Sequence, residues 1–297
     1  MQWEDRILEM RAALHRLEEL ETVSPFSRTF YQLICDWIEE SGPLCAELQE
    51  AFGTFLASEI ERHRAVNEAT TNRTPILEWV SVRYRAEPTL QRLIARLEAI
   101  PSEMSRQESL RQLILSECYA QLGDLERVVS SLRAALATGA EHPIVHFAVG
   151  YSLYMLAMRR HVRYDAVSNR YTVENRAGFQ RLCEQATESL QAGFTESPFD
   201  AQLYWWIGCV QESLGNLGEA RDAYKKAKEA DPANFGSEVD SRLRDMPHPI
   251  LDAISDEERE RLSQLPPITN DEVLRVQQQL KRIRRVTDLM QDNSHKS

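Results

Sequence analysis

Glycine and proline are scarce in this chain of 297 residues, at 11 and 12, which leaves little material for a turn-rich β fold or a long disordered stretch. No apolar run approaches the roughly 18 to 20 residues that a membrane-spanning helix needs. Positive charge is in deficit. The formal net charge of −11 repels nucleic acid and anionic membrane unless basic residues gather in one place, so general nucleic-acid binding is disfavoured. The opening Met1-Gln2-Trp3-Glu4-Asp5 carries acid where a secretory leader carries base, and no apolar stretch follows it, so export by that route is not expected. The five cysteines (Cys35, Cys45, Cys118, Cys183, Cys209) are odd in number, widely spaced and free of any C-x-x-C pair. Buried thiols in a reducing, cytoplasmic compartment are the expectation.

Signatures of chemistry are missing too. There is no G-x-x-x-x-G-K loop, no G-x-G-x-x-G, no H-E-x-x-H and no G-x-S-x-G elbow. His142 and His146 stand four apart, a spacing that can put two imidazoles on one helix face, with His161 as a third ligand. Pro143, however, makes His142 a helix cap, and His146 falls where a packing residue belongs, so no metal is expected. The adjacent pairs Glu39/Glu40 and Glu257/Glu258 point apart on a helix and form no acid/base couple. The chain reads as a non-enzyme without a cofactor.

What is present is helical periodicity. Ile7, Met10, Leu14 and Leu17 share one face. Ser24-Pro25 opens a helix bearing Phe30, Leu33, Ile34, Trp37 and Ile38, which Gly42-Pro43 ends. A long third helix follows from about Leu44, with Leu48, Phe52, Phe55, Leu56 and Ile60, and residues 1–73 read as an N-terminal helical bundle. From Thr74 the helices come in pairs. The clearest pair begins at Ala201: Tyr204, Ile207-Gly208, Gly215-Asn216-Leu217, Ala220, Tyr224, Ala227 and Pro232. It resembles the tetratricopeptide repeat (TPR) of 34 residues, departing from it at Gln211, where an aromatic residue is expected. A second unit runs from Ser109 (Leu115, Tyr119, Gly123-Asp124-Leu125, Val128, Leu132, Ala135). A third starts at Pro143 (Val149-Gly150), its second helix delayed to Cys183, Ala186, Leu190, Gly193 and Pro198, and a degenerate fourth near Thr74 carries Val80, Tyr84, Leu90, Leu93 and Leu97.

The expected architecture is therefore all-α: the bundle, TPR-like repeats forming an α-solenoid over 74–246, and a helical extension over 247–297. A hairpin-like insertion falls at about 160–176, where Val162, Tyr164 and Ala166, then Tyr171 and Val173, alternate around Ser168-Asn169. A terminal helix near Val239 to Met246 caps the stack. Beyond it, Ser255-Asp256-Glu257-Glu258 reads as a capping box, and Val273, Val276, Leu280, Ile283 and Met290 as an amphipathic seam beside the basic Lys281-Arg282-Ile283-Arg284-Arg285.

The resemblance implies a concave groove lined by the first helix of each pair and open to a partner segment. By register it would offer Phe147, Tyr151, Tyr154 and Met155, then Trp205, Cys209 and Glu212. It holds none of the Lys, Arg and Asn residues with which related clamps grip a terminal carboxylate, so an apolar or helical ligand fits better. The insertion, with Arg163, Tyr164, Arg170 and Tyr171, suits an acidic protein surface or serves only to cover a helix. The first reading is a protein–protein interaction module or adaptor. A regulatory subunit docking on an enzyme is the second, and a nucleic-acid-associated protein using the basic hairpin and tail the third. Partner, pathway and oligomeric state are not written in the sequence.

Overall fold

A computed structural model describes residues 3–20, 23–71, 76–101, 104–165, 170–194 and 200–246, without the side chains of 67–86, 164–171 and 245. The readings made for Pro198 and for 247–297 lie outside the described residues. The elements are α1 (Trp3–Glu18), α2 (Pro25–Ser41), α3 (Ala46–Thr71), α4 (Ile76–Ala99), α5 (Ser105–Leu122), α6 (Leu125–Ala137), α7 (Pro143–His161), β1 (Val162–Asp165), β2 (Arg170–Val173), α8 (Arg176–Ala192), α9 (Asp200–Leu214), α10 (Leu217–Ala230) and α11 (Pro232–Asp245). The all-α fold with a small hairpin insertion is the one the periodicity calls for.

Local chemistry sets the ends of α2. The Ser24 hydroxyl accepts from the Ser27 amide at 3.0 Å, Pro25 starts the first turn, and Gly42 at φ 68° stops the helix before a 3₁₀ turn, Gly42–Cys45. Met10, Leu14 and Leu17 of α1, Phe30, Ile34 and Ile38 of α2, and Leu48, Phe52, Phe55 and Leu56 of α3 are all buried in one core. That core is continuous with the repeats, and residues Met1–Met246 form one compact unit.

The pair expected from Thr74 does not form. Residues 76–99 are a single helix with Pro88 inside it, because no glycine turn interrupts them as Gly123 and Gly215 do elsewhere. Three pairs follow: α5 with α6, α7 with α8, and α9 with α10. The first and third turn identically. Gly123 (φ 74°) and Gly215 (φ 84°) adopt the left-handed conformation that an L side chain resists. The next amides, Asp124 and Asn216, then donate back to the carbonyls of Tyr119 and Gln211, both at 2.9 Å.

Where the two helices of a pair cross, a small residue lets them approach. A Cβ on Gly208 would meet the Tyr224 ring at 2.5 Å, and one on Gly150 would meet the Leu190 side chain at 2.6 Å and the Ala186 carbonyl at 2.9 Å. The same contact thus recurs in two pairs. Between α7 and α8 stands the hairpin, antiparallel, with Val162 opposite Val173 and Tyr164 opposite Tyr171. The capping helix starts earlier than Val239: Asp231 accepts from the Asn234 amide at 3.1 Å, Pro232 takes the first turn, and α11 lays Val239 into the core.

Candidate functional site

The first helices of the pairs, α5, α7 and α9, would line the groove. Part of that surface is covered by the chain itself, because α2 packs on α5 and α7. Phe26, in the first turn of α2, lies 4.8 Å from the Phe147 ring of α7. At the other end Trp37 meets the edge of His142 at 6.4 Å, and the Arg106 guanidinium of α5 lies 3.7 Å over the Trp37 ring while pairing with Glu40 at 2.9 Å. Gln107 adds a hydrogen bond to the Leu44 carbonyl at 2.9 Å.

Beyond Phe147 the row of rings continues. Tyr151, one turn on, stacks parallel to Phe147 at 6.4 Å, Trp206 of α9 meets Tyr151 edge-on at 4.8 Å, and Tyr154 lies 6.1 Å from Trp206. The Tyr154 hydroxyl is 2.9 Å from that of Ser213. Phe147 (4% exposed) and Tyr154 are buried, whereas Phe26, Tyr151, Met155 and Trp206 keep part of their surface in solvent. Burial holds the Tyr151 phenol above its ordinary pKa, so it stays a neutral donor and acceptor.

In the last pair the structure divides what register had grouped. Trp205 (8% exposed) lies between Tyr224 at 5.0 Å and Phe235 at 5.8 Å, with the Arg242 guanidinium 5.9 Å above it. Glu212 accepts from the Tyr224 hydroxyl at 2.7 Å and pairs with Arg242 at 3.4 Å, and the Cys209 sulfur is 3.5 Å from the same hydroxyl. These three side chains join α9 to α10 and α11. The ring beside Tyr151 is Trp206, which sequence reasoning missed. Tyr204, Trp205 and Trp206 are three aromatics in succession, each about 100° further round the helix. Nothing local says which of them meets the neighbouring repeat. Phe26 was missed for a different reason: it sits in a helix read only as part of a bundle.

Arg159, Arg160 and Arg163, at the insertion, have partners in the chain. Arg163 is exposed and pairs with Glu174 at 3.4 Å, Arg160 with Glu126 at 2.8 Å, and Arg159 donates to the Gly123 carbonyl. Tyr164, Arg170 and Tyr171 stand in the hairpin ladder, their side chains outside the described residues. His142 caps α7, its Nδ1 accepting from the Ile144 amide at 3.3 Å, and His146 lies 2.9 Å from Glu141. Among the described residues no three His, Cys, Asp or Glu side chains are grouped to hold a metal ion. No described helix is long and apolar enough to cross a membrane.

Comparison with known proteins agrees with this geometry. The tetratricopeptide-repeat family model matches residues 201–234, the α9/α10 pair with its Gly208–Tyr224 crossing and the start of α11. No curated protein matches the chain. Among solved structures, YrrB, described as a TPR protein with an unusual peptide-binding site, is similar at 14% identity over 61% of this chain and 97% of that one. The TM-score is 0.23, too low a superposition for any geometry to be carried across. The fold is one that supports protein–protein interaction in general, and the family match is confined to the α9/α10 repeat of a helical chain.

Proposed function

We propose that this protein is a non-enzymatic interaction module of the cytoplasm that receives an apolar or helical segment of another protein on the unfilled part of its groove. The observation that carries this reading is the partly exposed Tyr151–Trp206 pair, where the aromatic row leaves the cover of α2. Rigid rings supply large contact area at low entropic cost, which is why such residues anchor interfaces. Phe26 forms the near wall and Met155 an adaptable neighbour. Phe147 and Tyr154 support the exposed rings from below. Trp205 and Glu212 act at one remove, by fixing α9 against α10 and α11. Arg163 and the hairpin tyrosines form a second, smaller contact.

Affinity capture from native extract tests the proposal, comparing wild type with Tyr151→Ala/Trp206→Ala after circular dichroism shows both folded. Loss of a captured protein in the variant supports the groove. Retention of the same protein removes it.

A further inference from the structure

The two rings left partly bare in the groove each end in a polar tip. Tyr151 and Trp206 meet edge-on at 4.8 Å, and both keep part of their surface in solvent. Among the described residues neither the Tyr151 hydroxyl nor the Trp206 Nε1–H has a hydrogen-bond partner, and solvent reaches both. Most tyrosines of this chain are placed differently. Tyr31, Tyr119, Tyr154 and Tyr224 set their hydroxyls against Glu59 at 3.2 Å, Glu98 at 2.9 Å, Ser213 at 2.9 Å and Glu212 at 2.7 Å. Tyr204, the other exception among the described tyrosines, has the Lys226 ammonium 5.4 Å above its ring, whereas no described cation lies over Tyr151 or Trp206.

The contrast with α2 bears on what kind of segment fits. This surface is continuous with the interface that α2 makes on α7, where the touching rings, Phe26 and Phe147 at 4.8 Å, carry no polar atom. A helix suits such rings because its carbonyls are already bonded to its own amides. Where the cover of α2 ends, the rings present donors, and their complement is a segment with apolar side chains and free carbonyls. A polyproline II segment has both: it makes no internal hydrogen bonds, its prolines have no amide proton, and its carbonyls project at about three residues per turn. Being stiff before it docks, it also loses little conformational entropy on an aromatic surface.

Resting on the groove reading above and narrowing it, we infer that the Tyr151–Trp206 surface is a docking site for a proline-rich segment of a partner protein. A proline ring packs against the two aromatic faces. The Tyr151 hydroxyl and the Trp206 Nε1–H each donate to a carbonyl of the segment. Phe26 and Met155, both partly exposed, extend the apolar strip to either end of Tyr151 along α7.

The test titrates the full chain, to millimolar concentration, against fluorescein-labelled decaproline, a leucine-rich amphipathic helical peptide and a glycine–serine peptide of the same length, read by fluorescence anisotropy. Wild type is expected to bind decaproline more tightly than the helical peptide and to leave the glycine–serine peptide free. Tyr151→Phe keeps the ring and the fold but drops one donor, and should weaken decaproline binding about two- to tenfold, the worth of one hydrogen bond. Tyr151→Ala/Trp206→Ala should abolish it with an unchanged circular-dichroism spectrum. No binding of decaproline, equal binding by Tyr151→Phe, or binding that survives the double alanine variant overturns the inference. A helical peptide bound in preference, and lost in the double alanine variant, overturns it while leaving the groove reading in place. If wild type binds neither peptide the inference falls, and the capture experiment alone decides the groove.

Discussion

Gly208 lies so close beneath Tyr224 that the ring occupies the space a Cβ would need, 2.5 Å from its position. The contact is intolerant because Tyr224 is fully buried and tied by its hydroxyl to Glu212. Overpacking a site of this kind costs about 1 to 3 kcal/mol, against the roughly 1 kcal/mol gained on replacing a helical glycine by alanine. Gly208→Ala is therefore expected to lower the melting temperature. Gly53→Ala, with open space around it, has only the gain and should raise it; thermal denaturation of the two variants shows the opposite signs.

The contact of α2 with the repeats gives a second expectation. A double-mutant cycle on Trp37 and Arg106 separates the ring–guanidinium contact from the Arg106–Glu40 ion pair. A coupling of about 1 kcal/mol is expected for a half-buried pair of this type. Urea denaturation of the wild type, both single variants and the double variant measures it.

Between α2, α3 and α5 lies a buried polar cluster whose two carboxylates titrate apart. Burial opposes the charge of Glu59, but the Arg62 fork at 2.6 and 2.7 Å, with His63, Tyr31 and Gln121 as further partners, holds its pKa at about 2. Burial, then the charge of Glu59, pushes Glu117 up to about 7. The signs oppose. Glu117, raised above its unfolded value, contributes stability that is complete below about pH 4.5 and lost as pH rises through 7, whereas the contribution of Glu59 is lost only as pH falls below 4.5 towards 2. Wild type should lose about 1 to 3 kcal/mol between pH 5 and pH 8 from this group. Glu117→Gln should flatten that dependence in melting curves across the same range.

All five thiols are free and buried, and burial pushes Cys35 and Cys183 up to about 12. A thiol held protonated and out of solvent is a poor nucleophile. An aromatic disulfide reagent at pH 8 should therefore find almost no fast-reacting group in the native protein and five after denaturation in guanidinium.

The sequence by itself determined the repeats. Gly123 and Gly215 supply left-handed turns, Gly150 and Gly208 close crossings, Ser24 a cap, and the run from Val162 to Val173 a hairpin. Each of these signals acts through hydrogen bonds or periodicity within one helix pair, so a short stretch of chain contains the whole cause. Pro88 marks the limit of that logic: a residue that usually breaks helices lies within α4, exposed, just before the buried Leu90, Leu93 and Leu97. The occupancy of the groove was decided by the tertiary structure alone. Phe26 reaches Phe147, Trp206 rather than Trp205 meets Tyr151, and Gln49 is left with a bare oxygen beside Arg6, because each depends on how helices distant in sequence rotate against one another. A rotation of one residue, about 100° of helix, exchanges a buried ring for a partly exposed one, and only the assembled core fixes it.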